Sequence, residues 1–143
     1  MLFGRRKRTI TRLLLVEDEP LVAFDSEHFL SEAGFEIVGT VDRVADAVAA
    51  IADGRSIDLV LVDLNLADGS GIDVARAAFA RAIPALFVTG QWPGGAETFA
   101  AGCLSKPYQP RDLIGAIEAI ETVRGGKTPK RLPSGLKLFA QAE

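Results

Sequence analysis

The chain alternates short, mainly apolar runs with stretches of helical period, and four of the runs stop abruptly at reactive polar residues. Leu13-Leu14-Leu15-Val16 gives way to Glu17-Asp18, residues 57–62 to Asp63, residues 83–88 to Thr89, and residues 102–105 to Lys106-Pro107. Short runs that are apolar at every position suit strands buried on both faces, as in a parallel sheet. A further strand is expected over 35–39. Between the runs, apolar residues recur at helical spacing. Pro20 suits the first turn of a helix that Gly34 ends, with Leu21, Val22, Phe24, Phe29, Leu30 and Ala33 as its apolar positions. Further helices are expected over 43–53, closed by Gly54, over 72–80 after the turn Asp68-Gly69-Ser70-Gly71, and over 110–123. Strands alternating with helices imply an α/β domain whose parallel sheet is covered on both faces. There is no internal repeat.

In such a sheet, ligands bind at the carboxyl edge of the strands, and all four polar endings fall there. Glu17, Asp18 and Asp63 supply the hard oxygen ligands that Mg²⁺ or Mn²⁺ takes, and the backbone carbonyl of Asn65 can add another. A bound cation lowers the repulsion between a carboxylate and an incoming phosphate, so Asp63 is the candidate nucleophile and phosphoacceptor. Lys106 is placed to stabilise charge on the phosphoryl oxygens, and Thr89 to hydrogen-bond one of them. Each element alone has a plainer reading: Glu-Asp as a helix cap, Asp63-Leu64-Asn65 as a turn, Lys106-Pro107 as a loop. Their occurrence at successive strand ends is what points to one site.

Charge and composition limit the alternatives. Residues 1–12 carry five Lys/Arg and residues 124–143 five more with one Glu, so 13–123 hold six basic against eighteen acidic side chains. An acidic body with basic ends is not a typical nucleic-acid-binding domain, and Arg5-Arg6-Lys7-Arg8 reads as a solvated arm. No apolar run approaches the roughly 20 residues of a bilayer span. The N-terminus has no signal-peptide pattern, and Cys103 is the only cysteine, so a cytoplasmic protein without a disulfide is expected. The expected organisation is a basic arm over 1–11, one domain over 12–123, and a tail over 124–143 whose Leu132, Leu136, Leu138 and Phe139 suit docking on a surface.

These residues resemble a response-regulator receiver domain, the phosphoacceptor half of bacterial two-component signalling. The resemblance rests on Val16-Glu17-Asp18-Glu19, Leu61-Val62-Asp63-Leu64, Asp68-Gly69-Ser70-Gly71, Val88-Thr89-Gly90 and Ser105-Lys106-Pro107-Tyr108. It implies a doubly wound, flavodoxin-like sheet of five parallel strands in the order 2-1-3-4-5, a cis peptide before Pro107, and phosphotransfer from a histidine kinase to Asp63. With no effector domain following, the chain resembles the single-domain type. That type acts as a phosphate sink or as a signal carrier to a partner protein, with only Mg²⁺-dependent self-phosphorylation and self-dephosphorylation. Phe87-Val88-Thr89-Gly90-Gln91-Trp92 is similar to the Phe-Ala-Thr-Gly-x-Tyr signature of one receiver subfamily, whose kinases in some cases sense light or stress.

Three features depart from the family. The aromatic residue that many receivers carry three positions before the site lysine is here Cys103, expected as a small core residue. Gly90 loosens the loop after Thr89. Between Thr89 and Lys106, Pro93-Gly94-Gly95 leaves only 96–101 for a helix, under two turns at 3.6 residues per turn. The fourth helix is therefore expected to be vestigial or absent, and since many receivers dimerise through that face, a monomer is expected. Asn65 and Gln91 are candidates for flanking the phosphoryl group, or plain loop amides. His28 is expected on a helix surface, and Trp92 partly buried under its loop or as a partner anchor. The other classes consistent with the sequence are a pseudo-receiver interaction module not controlled by phosphorylation and a small-molecule phosphatase. Asn65, where such phosphatases carry a second acid, argues against the last.

Overall fold

A computed structural model of the chain describes residues 8–91 and 94–139. Its strands are β1 (Arg12–Val16), β2 (Glu36–Val41), β3 (Leu59–Val62), β4 (Asn65–Leu66), β5 (Gly69–Ser70), β6 (Ala85–Thr89), β7 (Gly102–Ser105) and β8 (Leu136–Leu138). The helices are α1 (Pro20–Glu32), α2 (Val44–Ala52), α3 (Gly71–Ala80) and α4 (Pro110–Arg124). The main sheet runs β2-β1-β3-β6-β7-β8, with every pairing parallel except the last. Its first five members are the expected doubly wound sheet in the expected order. β4 and β5 form a small antiparallel hairpin beside it.

The four long apolar runs behave as their composition demands. β1, β3, β6 and β7 are buried along almost their whole length, because helices cover both sides. Val16, Val60, Val62, Phe87 and Cys103 face one cluster with α2 and α3. Leu13, Leu15, Leu59, Leu61 and Leu104 face another, which takes in residues of α1 and α4. No helix of the described residues is long and apolar enough to cross a membrane.

The structure bears on the sequence expectations in three ways. First, the sheet has six strands, not five: β8 comes from the tail and pairs antiparallel with β7. Second, the helix expected to be vestigial or absent between β6 and β7 is a single 3₁₀ turn, Ala96–Thr98. Third, α1 buries Ala23, Ser26 and Leu30, while Leu21 and Phe24 are 80% and 67% exposed. Of the apolar positions read along α1, Leu30 lies with positions 23 and 26 on the stripe that meets the sheet, and 21 and 24 fall outside it.

At the N-terminal end, residues 8–11 pack on the body. Ile10 is buried, the Arg8 guanidinium lies 4.2 Å from the Phe35 ring centroid, and Asp58 accepts hydrogen bonds from the backbone N–H groups of Thr11 and Arg12 at 2.9 Å. The rest of the basic arm, residues 1–7, lies outside the described residues, as do Trp92, Pro93 and residues 140–143.

Candidate functional site: a carboxylate cluster at the strand ends

The strand ladders fix the site's backbone before any side chain acts. Glu17 N–H donates to Val41 O at 2.9 Å and Asp63 N–H to Val16 O at 3.0 Å, so both acidic residues leave the sheet at one level. On the other side Lys106 N–H donates to Thr89 O at 2.9 Å. The chain turns after Lys106 through a cis peptide to Pro107, as the resemblance implied.

These anchors bring the predicted residues together. Glu17, Asp18 and Asp63 each present a carboxylate oxygen within 4.8 Å of the others. Lys106 Nζ stands 3.3 Å from Asp63 Oδ2 and 3.5 Å from Glu17 Oε1. Asp63 also faces an open cavity of about 480 Å³ lined by Asp18, Asn65, Thr89, Gly90, Gln91 and Lys106. Thr89 is buried, and its Oγ1 accepts from Gln91 N–H at 3.2 Å. That leaves the hydroxyl proton able to donate into the cavity.

The electrostatics are unbalanced. Burial pushes the Glu17 carboxyl above the usual carboxylate range, opposed by the Glu19 N–H and the Lys106 ammonium and reinforced by Asp63. Burial also disfavours charge on Lys106, yet Glu17 and Asp63 outweigh it and hold its pKa above the ordinary lysine value. One ammonium, paired with Glu17 and Asp63, thus stands beside three clustered carboxylates. At an effective dielectric of about 20, like charges about 4 Å apart repel by about 4 kcal/mol, so one monovalent partner leaves excess negative charge. A hard divalent cation is the natural remedy, and the donor set, all carboxylate with room for waters, fits Mg²⁺.

Sequence reasoning missed the supports behind the site. Gly71, at the start of α3, donates its N–H to Leu64 O at 2.7 Å. A Cβ there would lie 2.2 Å from the Asp63 carbonyl oxygen, so only glycine lets α3 start against the Asp63 peptide. Ser70 caps the helix, its Oγ accepting from Ile72 N–H at 3.0 Å. Asp68, expected simply as turn chemistry, accepts from Val44 N–H at 2.6 Å and Ala45 N–H at 3.1 Å, and so ties the hairpin to the first turn of α2. Those bonds, Val44's first, hold its carboxyl below the usual range. A depressed pKa means stability present above the unfolded-state value and lost as pH falls through the folded one. Asp68→Ala should therefore lower Tm most at neutral pH, with the difference from the unaltered chain shrinking below the usual carboxylate range, as thermal melts across pH will show.

The remaining candidates lie apart from the chemistry. Cys103 is buried in β7, the place read for it from sequence. His28 is exposed on α1, its Nε2 3.5 Å from Glu32 Oε2. Gly90 has open space around a notional Cβ and is not in the left-handed region, so neither space nor a positive φ demands glycine there.

A parallel doubly wound sheet with an acidic cluster, a threonine and a lysine at its carboxyl edge defines a receiver-type signalling domain. Residues 13–118 match the Response regulator receiver domain family, and the chain belongs to it. It is 32% identical to the phyllosphere-induced regulator PhyR of Methylorubrum extorquens over 117 residues, covering 75% of this chain and 42% of that protein. It is 36% identical to the sensory transduction protein RegX3 of Mycobacterium tuberculosis over 135 residues, covering 89% of this chain and 57% of that protein. The chain thus spans about half the length of these curated relatives. Among solved structures it is similar to the receiver domain of PhyR from Erythrobacter litoralis, with a TM-score of 0.69, 27% identity, and coverage of 85% of this chain and 96% of that one.

Proposed function

We propose that the chain is a phosphorylatable response regulator that accepts a phosphoryl group on Asp63 from a histidine kinase. The observation that carries this reading is the meeting of Glu17, Asp18 and Asp63 within 4.8 Å, with Lys106 Nζ 3.3 Å from Asp63. Glu17, Asp18, Asp63 and the Asn65 carbonyl would hold Mg²⁺, which when bound offsets the negative charge that opposes approach of a phosphate. Asp63 supplies the nucleophilic oxygen. Lys106 and the Thr89 hydroxyl aim positive charge and a donor at the cavity Asp63 faces, where the phosphoryl oxygens would sit. Asn65 and Gln91 line the same cavity and are placed to orient a water for dephosphorylation.

The reading takes residues 12–123 as the receiver unit, with residues 8–11 and β8 packed on it, in a cytoplasmic bacterial monomer acting without nucleic acid or membrane. One feature supports kinship with the Phe-Ala-Thr-Gly-x-Tyr subfamily: the Phe87-Val88-Thr89-Gly90-Gln91-Trp92 sequence. A kinase that senses light or stress is the partner this kinship suggests. Output is either drainage of phosphoryl groups from the kinase or delivery of a signal to a partner protein.

Phosphotransfer profiling against histidine kinases tests the reading. One kinase should load the protein quickly, and Asp63→Asn should remove the signal; loading that persists in Asp63→Asn contradicts it. A phosphoryl lifetime of seconds to minutes indicates a sink, and one of hours a messenger.

A further inference from the structure

Strand β8 and its flanks are fitted to the body at several separate points. The Ser105 N–H donates to Gly135 O at 3.0 Å, and the Phe139 N–H to Ala101 O at 2.9 Å, so the segment is fastened at both ends of β7. Close approach is permitted by glycines on the body. A Cβ at Gly102 would stand 2.8 Å from the Lys137 carbonyl oxygen, and one at Gly115 of α4 would stand 2.9 Å from Pro133 Cγ. Gly135 supplies the left-handed turn, φ +84°, that delivers the chain to Ser105. Phe139 is buried in the cluster of Phe87, Ala96, Ala100 and Cys103, filling space beside the single turn that stands where a crossover helix would. Leu136 and Leu138 pack against the opposite cluster.

This fit places the segment next to the chemistry. Ser105 is paired with Thr89 on its β6 side and with Gly135 on its outer side. The next residue is Lys106, whose ammonium reaches Asp63 and Glu17. The backbone from which that reach starts is therefore held on one flank by the site's own strand and on the other by the tail. With Cys103 where many receivers carry an aromatic, an edge strand bonded to the residue beside the lysine offers a different physical link between site and surface.

We propose that residues 133–139 form a strap that positions Lys106, and that its pairing with β7 tightens when a phosphoryl group occupies Asp63. The proposal rests on Asp63 being the phosphoacceptor. Coupling between two sites is reciprocal: if occupancy tightens the strap, loosening the strap weakens occupancy by the same factor. Lys106 and the tail are thus positioning elements for one another.

Amide hydrogen exchange on the full chain, with and without Mg²⁺ and beryllofluoride as the phosphoryl stand-in, reads the first half. Asp58, whose N–H donates to Arg12 O at the opposite end of the sheet, reports the uniform slowing that any ligand gives. Exchange at Ser105 and Phe139 should slow about fivefold or more beyond Asp58, within the usual range of coupling. Gly115→Leu reads the second half, because leucine suits the helix while displacing Pro133. Its beryllofluoride affinity should fall by a similar factor. Binding with no excess slowing at Ser105 and Phe139, or Gly115→Leu binding as tightly as the unaltered chain, overturns the strap and leaves the phosphoacceptor reading standing. Failure of beryllofluoride to bind the unaltered chain overturns both. If Gly115→Leu does not fold, the exchange comparison alone decides.

Discussion

Gly71→Val will destabilise the protein by about 3 kcal/mol, the upper part of the range for overpacking, and will disable the site in whatever fraction still folds. The new Cβ would overlap the Asp63 carbonyl oxygen at 2.2 Å and crowd Val62 Cγ2 at 3.0 Å. Both neighbours belong to the central strand or its exit, and the first is backbone, so no rotamer change relieves it. Either α3 lifts from the sheet, or Asp63 moves away from Glu17 and Lys106. Gly90→Ala is the matched control, since its Cβ meets nothing within 4 Å, and it should be close to neutral. Thermal melts should show a fall of roughly 10 °C for Gly71→Val and almost none for Gly90→Ala.

Lys106→Met should separate two roles of the ammonium by moving them in opposite directions. Lys106 sits between Glu17 and Asp63, where it would compete with a cation for the same oxygens. Removing it leaves the three clustered carboxylates without a cationic neighbour from Lys106, and Mg²⁺ affinity should rise about tenfold, equivalent to about 1.4 kcal/mol. Phosphoryl acceptance should fall by about 10²–10³, the usual loss when a donor to developing negative charge is removed. Calorimetric Mg²⁺ titration and loading rates with acetyl phosphate measure the two effects. A fall in both would mean that Lys106 holds the cluster together instead of competing within it.

The parts of this molecule that could be read from sequence are those whose signal is continuous. Runs such as Leu13-Leu14-Leu15-Val16 are apolar at every position because both faces are covered, and they located the central strands and their polar exits. The shortened connection before Lys106 was legible because Pro93-Gly94-Gly95 left too few residues for a helix. Two other features were not legible, because they depend on contacts between distant segments. Leu136, Leu138 and Phe139 suited docking on a surface, but nothing local says that they form a strand on β7 or that Gly102 and Gly115 make room for it. Gly71 looks like an ordinary turn residue until α3 is seen starting against the Asp63 peptide. Leu21 and Phe24 were read as apolar positions of α1, and their exposure was not legible, since hydrophobicity alone does not say which stripe of the helix meets the sheet.

The central claim is that Asp63 carries the phosphoryl group with help from a divalent cation. Incubating the unaltered chain and Asp63→Asn with acetyl phosphate, each with and without Mg²⁺, tests it most directly when intact mass is read and the modified residue is mapped. The account predicts the gain of one phosphoryl group on Asp63, only in the unaltered chain and only with Mg²⁺. A gain in Asp63→Asn, a gain independent of the metal, or no gain under any condition would contradict it.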